Sequence, residues 1–219
     1  MNCNLTKSLL NSTKLELETF IIKLIELDNN KMLSKQSTKD FISFLAKKLI
    51  FLKYIHQEEP DYHLAVLISD FFFLILSIIK NEIRYMYLNE RSMIENFTRY
   101  IMKVSLENNQ VTHLLFEEMN KTFFKHTLYQ SDFSLIKSEY NTSCNYVHGG
   151  YKLKKNLISV LEEYTCNKIQ LDNSKSVYSN MTKLINIFIR IIIHDNVDTI
   201  NACFYRKKSI LKYLIGNLV

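Results

Sequence analysis

Residues 61–107 read DYHLAVLISDFFFLILSIIKNEIRYMYLNERSMIENFTRYIMKVSLE, and no glycine or proline interrupts them. This pattern predicts one very long helix, or two with a kink near Lys80–Asn81. The first half is apolar all round, as expected of a helix buried on all sides. Its most apolar run, residues 65–80, is interrupted by Asp70 and is shorter than the ~20 residues that cross a bilayer. No stable membrane insertion is expected. The second half mixes aromatic and charged residues.

The same 3.6-residue spacing extends in both directions. Upstream, Leu15, Leu17, Phe20, Ile21, Leu24, Ile25 and Leu27 mark one amphipathic helix. Phe41, Phe44, Leu45, Leu49, Leu52 and Ile55 mark a second, with Ser37 or Thr38 as its N-cap. Pro60 marks a turn or the first position of the next helix. Downstream, residues 107–110 and 172–176 read as loops between helices over 111–128, 131–148, 153–169, 177–193 and 197–218. Ser131 is a plausible N-cap, and Gly149–Gly150 fit a left-handed helix end.

The whole chain holds 3 Gly and 1 Pro, too few for the turns of a sheet protein. The expectation is all-α: a single bundle of about seven or eight helices. It divides into an N-terminal helical pair (1–58), a core (60–195) and a C-terminal helix (196–219), with no repeat and no flexible linker.

A chain of 219 residues with 47% hydrophobic content can bury a substantial core. The net charge of +6 is compatible with a nucleic-acid partner, but no run of five like charges occurs. Cys3, Cys144, Cys166 and Cys203 are widely spaced with no Cys-x-x-Cys pair, which argues against a disulfide framework or a metal cluster. Reduced thiols and a start lacking a signal-peptide pattern predict a cytoplasmic protein.

Two stretches carry candidate chemistry. On the long helical segment, Arg84, Arg91, Glu95 and Arg99 follow at intervals of seven, four and four residues, which aligns them on one face. Arg91 and Glu95 can pair. The plain alternative is a solvated ion-pair stripe. The second stretch, residues 139–150, reads EYNTSCNYVHGG. His148 falls in the last turn of a helix, where the negative end of the helix dipole favours its protonated form. Tyr140, Ser143 or Cys144, and His148 can share a face. A Cys144–His148 nucleophile pair is disfavoured because no orienting acid or oxyanion loop is visible. A helix-capping histidine is the simpler reading.

His56 and His63 read as loop residues around Pro60. His113, His126 and His194 lack partners at metal-ligand spacing, and no cofactor is expected. Near the C-terminus, Arg206, Lys207, Lys208 and Lys212, with Arg190 upstream, form a basic cluster that suits either a nucleic-acid backbone or an ordinary wet helix face.

Two segments together resemble the HEPN superfamily. They are Tyr87-Leu88-Asn89-Glu90-Arg91-Ser92-Met93-Ile94-Glu95-Asn96 and Tyr140-Asn141-Thr142-Ser143-Cys144-Asn145-Tyr146-Val147-His148-Gly149. The resemblance covers roughly residues 60–195. It implies an all-α bundle of the bacterial abortive-infection and toxin type. It also implies metal-independent RNA cleavage, and a homodimer with the two sites meeting at its interface. An antitoxin or phage-derived protein is a further partner of that class. The implied catalytic residues are His148, Arg91 and Glu95, with Tyr140, Ser143, Arg84 and Arg99 contacting substrate.

One departure matters. Catalytic members usually carry an Arg, then four to six intervening residues, then the His; the positions at that spacing before His148 are Asn141, Thr142 and Ser143. Either Arg91 supplies the cation from the neighbouring helix, or the chain binds without cleaving. A third reading, attachment to a membrane surface, would require the Phe-rich segment to be exposed.

Overall fold

A computed structural model describes residues 2–108, 112–124, 130–148, 156–166 and 174–216. Ten α-helices form among the described residues, more than the seven or eight expected, and no strand is present there. In chain order they are α1 (Asn2–Leu27), α2 (Gln36–Glu58), α3 (Tyr62–Ile79), α4 (Ile83–Ile101), α5 (Thr112–Met119), α6 (Gln130–His148), α7 (Leu157–Cys166), α8 (Ser174–Asp195), α9 (Val197–Cys203) and α10 (Lys208–Ile215). A single π turn, Asn120–Phe124, continues α5.

The long segment divides at the kink. Asn81 adopts a left-handed conformation (φ 57°). The Glu82 amide then reaches the Ser77 carbonyl at 2.8 Å, and the Asn81 amide reaches Ile78 at 3.0 Å. This is the paired bonding of a Schellman ending, and Asn tolerates the left-handed position it needs. The α4 terminus repeats it: Lys103 (φ 52°) takes the left-handed position, and the Val104 amide bonds the Arg99 carbonyl at 3.0 Å. A left-handed Arg206 (φ 59°) between α9 and α10 splits what the sequence presents as one last helix. These extra breaks account for the higher helix count.

Helix starts differ from expectation as well. Asp61 caps α3 through Oδ1, which accepts from the Leu64 amide at 2.8 Å, so Pro60 belongs to the turn before it. α2 begins at Gln36 with Lys35 at the cap position and no side-chain cap; Thr38 is buried, its hydroxyl 3.4 Å from that of Tyr178. His56 and His63 lie within α2 and α3, not in a loop. The Gly149–Gly150 ending lies outside the described residues.

One hydrophobic core runs from Leu17 of α1 to Ile215 of α10. α4 is central to it. Phe97 stacks on Phe188 of α8 at 3.9 Å, and both are fully buried. α3 packs antiparallel to α4 on one side and α6 packs antiparallel to it on the other. α3 is the helix among the described residues long and apolar enough to cross a membrane, and just over half of it is buried. It is not buried on all sides: Phe72 is 37% exposed and Phe73 56%, with Phe72 edge-on to Phe20 of α1. Lys48 of α2 is buried and donates to the Leu214 and Ile215 carbonyls, tying down the end of α10.

Candidate functional site

α4 lays Met86, Glu90, Met93, Ile94 and Phe97 against the core and turns Arg91 and Glu95 to the edge of the seam with α6. α6 comes to that seam with Tyr140, Ser143 and His148 on or beside its inner face. Antiparallel packing then matches the middle of α4 with the second half of α6. Residues 95 and 140 meet, as do 90 and 143, and 84 and 147.

Four side chains converge at the seam's rim. Arg91 Nε donates to Glu95 Oε1 at 3.0 Å, and Arg91 Nη1 meets His148 Nε2 at 3.0 Å. The Tyr140 hydroxyl donates to the same Glu95 oxygen at 2.9 Å, and the Arg91 guanidinium lies 5.8 Å from the Tyr140 ring centroid. A guanidinium only donates, so His148 must accept through Nε2 and carry its proton on Nδ1. Side chains of Arg91 and Glu95 are each 27% exposed and His148 is exposed, so the rim opens to solvent.

The electrostatics fix the charge states of Arg91 and Tyr140. Partial burial works against the Arg91 charge, but the hydrogen bond and charge of Glu95 outweigh it and raise its pKa further. Burial and the Glu95 bond push the Tyr140 phenol up to about 12, so it remains a hydrogen-bond donor at neutral pH.

Ser143 is not at this rim. It is fully buried, and its hydroxyl donates to Glu90 Oε2 at 2.7 Å, because its position on α6 faces the core. Arg84 donates to the Val147 carbonyl at 3.1 Å and so fastens the last turn of α6. Arg99 sits two turns beyond Arg91, about 12 Å along the axis, and reaches the Asn108 carbonyl of the following loop. Arg206, Lys208 and Lys212 of the basic cluster rim an apolar groove of about 1090 Å³ between α9 and α10, whereas Arg190 pairs with Asp132 at 2.6 Å.

Three acids near the site carry no role in the sequence reading. Asp70 of α3 accepts from Asn96 Nδ2 at 3.0 Å; burial raises its pKa, Ser92 and Asn96 oppose that through hydrogen bonds, and the Glu95 charge adds to it. Glu90 and Glu139 lie on the buried side of the α4–α6 seam. Each interrupts an apolar pattern in its helix, and that is the signal by which sequence could have found them. Among the described residues no group of three or more His, Cys, Asp or Glu is placed to hold a metal ion.

Comparison with family models, with curated proteins and with solved structures gives no match to this chain.

Proposed function

We propose that this chain is a HEPN-like, metal-independent endoribonuclease that acts as a homodimeric toxin or effector in antiphage defence. The observation that carries the reading is the Arg91–His148 contact at 3.0 Å, which joins the two segments of the family resemblance. Glu95 and Tyr140 complete the constellation. The defence setting rests on the resemblance alone.

RNA strand cleavage by its own 2′-hydroxyl needs a base, a cation for the charged phosphorane and a proton for the departing 5′-oxygen. When a phosphate enters the rim, Arg91 turns its Nη groups to the phosphate oxygens and releases His148 Nε2. That nitrogen then takes the 2′-hydroxyl proton, the 2′-oxygen bonds to phosphorus, and the P–O5′ bond breaks. The products are a 2′,3′-cyclic phosphate and a 5′-hydroxyl. In a site shared by two copies, the second copy's His148, released from its own Arg91 and in its imidazolium form, gives its Nε2 proton to the leaving 5′-oxygen as the first copy's His148 takes up the 2′-hydroxyl proton. Glu95 keeps Arg91 oriented, with Tyr140 donating to the same carboxylate oxygen.

A second reading is a non-catalytic HEPN-derived binding partner. It is favoured by the absence of Arg from residues 141–143 and by the engagement of the imidazole lone pair with Arg91. The test is incubation of RNA with wild type and His148→Ala in EDTA, resolving the product ends. Cyclic-phosphate ends from wild type, reduced roughly 10²–10⁴-fold in the variant, are expected. RNA binding without cleavage in both proteins would move the assignment to the second reading.

A further inference from the structure

Directly beneath the rim, Glu90 lies between α4 and α6 with 1% exposure. Its Oε2 accepts from Ser143 at 2.7 Å, and its Oε1, equally buried, has no partner. The groups that act on it are acidic or neutral: Glu139 and Ser143 from α6, and Tyr87 from α4. Glu139 is also buried and accepts from Asn180 of α8 at 3.3 Å. Tyr87 stacks on Tyr146 of α6 at 3.9 Å, a further contact across the same seam. A carboxylate in this place would have an acid opposite and no cation among these groups, so the neutral acid is the form that packs.

The contact is also placed to control the rim. Glu90 is adjacent to Arg91 in α4, and Ser143 stands three residues after Tyr140 and five before His148 in α6. Any change in the Glu90–Ser143 spacing therefore shifts one helix against the other and moves all four rim side chains.

We propose that Glu90 is a positioning residue of the Arg91–Glu95–Tyr140–His148 cluster: as a neutral acid held by Ser143, it sets the register of α6 on α4, and its ionisation disperses the cluster. Burial pushes this carboxyl up to about 8, the charge of Glu139 adds to the rise, and the Ser143 bond opposes it. The switch therefore falls just above neutral pH, with the site assembled on the acid side. The cleavage arm of the test rests on the ribonuclease reading; the geometric arm does not.

The experiment compares Glu90 and Glu90→Gln in full-length protein carrying Cys144→Ser, which removes a thiol beside the rim. His148 ring resonances are followed by NMR from pH 6.5 to 9.5, and RNA cleavage is measured over the same range. With Glu90, the His148 signals shift near pH 8, and cleavage falls roughly tenfold for each unit above it, following the neutral fraction of one acid. Glu90→Gln keeps the neutral form permanently, so its His148 signals should match the parent at pH 7 and pass pH 8 without that transition. Lys48 is also held down at about 8, but it is common to both proteins and cancels in the comparison. Ser143→Ala should reproduce part of the loss at neutral pH. Identical His148 transitions with Glu90 and with Gln would overturn the positioning role. An NMR transition abolished by Glu90→Gln, in a protein that never cleaves RNA, would support the role and retire the ribonuclease reading.

Discussion

Arg91 has two neighbours with opposite demands. Glu95 holds its Nε, while Nη1 reaches across to a histidine that must be neutral to accept. Arg91→Lys should be severe, because an ammonium cannot serve Glu95 and His148 with a planar fork. We expect at least a tenfold fall in cleavage with the melting temperature nearly unchanged. Wild-type activity in that variant would remove Arg91 from the mechanism. Glu95→Gln should lose less than Arg91→Lys, since the amide can still accept from Tyr140.

The buried acids predict the pH dependence of stability. Glu90, Asp70 and Glu139 all have raised pKa values in the folded chain, with burial the largest cause in each. A raised folded pKa means that the stabilising contribution is complete below the unfolded value and is lost as pH climbs through the folded one. For Glu90 that window runs from about 4.5 to about 8. Denaturant midpoints should therefore fall across it, and Glu90→Gln should flatten the fall. Above about 8, Lys48 acts with opposite sign, because burial lowers its pKa in the folded chain. A wild-type profile that rises steadily from pH 5 to 8 would contradict this assignment of charge states.

The helix ends are the next level up. Lys103 occupies the left-handed position at the end of α4, where a side chain is strained and glycine is not. Lys103→Gly should stabilise the protein by about 0.5–1 kcal/mol, and a loss of stability in chemical denaturation would argue against that helix ending. Arg84 is the clamp on the last turn of α6 through the Val147 carbonyl. Arg84→Ala should remove about 1 kcal/mol at most, since the bond is exposed, but it should raise hydrogen exchange at residues 145–148. At the centre of α4, Phe97→Ala leaves a cavity against Phe188 and should cost about 3–5 kcal/mol. Much of this level was legible in advance. The i,i+4 spacing of Arg91 and Glu95, the position of His148 at a helix end and the break near Asn81 all follow from local chemistry. Ser143 did not, because Tyr140, Ser143 and Cys144 are equally plausible inner-face residues until α4 and α8 choose which side of α6 to cover.

At the scale of the molecule, the exposed apolar residues Phe73 on α3 and Tyr85 and Leu88 on α4 lie on two of the helices that build the site and its surroundings. A two-fold pairing through such a face is the commonest route to a dimer. Light scattering should report a dimer at micromolar concentration, and Phe73→Glu should shift it toward monomer. A wild-type monomer would leave the shared-site mechanism without its second histidine. The amino-acid sequence by itself determined that this chain is helical, which position could break its longest helical segment, and which side chains are one turn apart. Those are local properties, set by backbone sterics, helix periodicity and the scarcity of glycine and proline. The tertiary structure alone decided that Arg91 meets His148 57 positions away, that Ser143 turns inward to Glu90, and that Phe73 is left in solvent. Each of these depends on how two helices are rotated and shifted against one another, and that is settled by the packing of whole faces rather than by any residue's near neighbours in the chain.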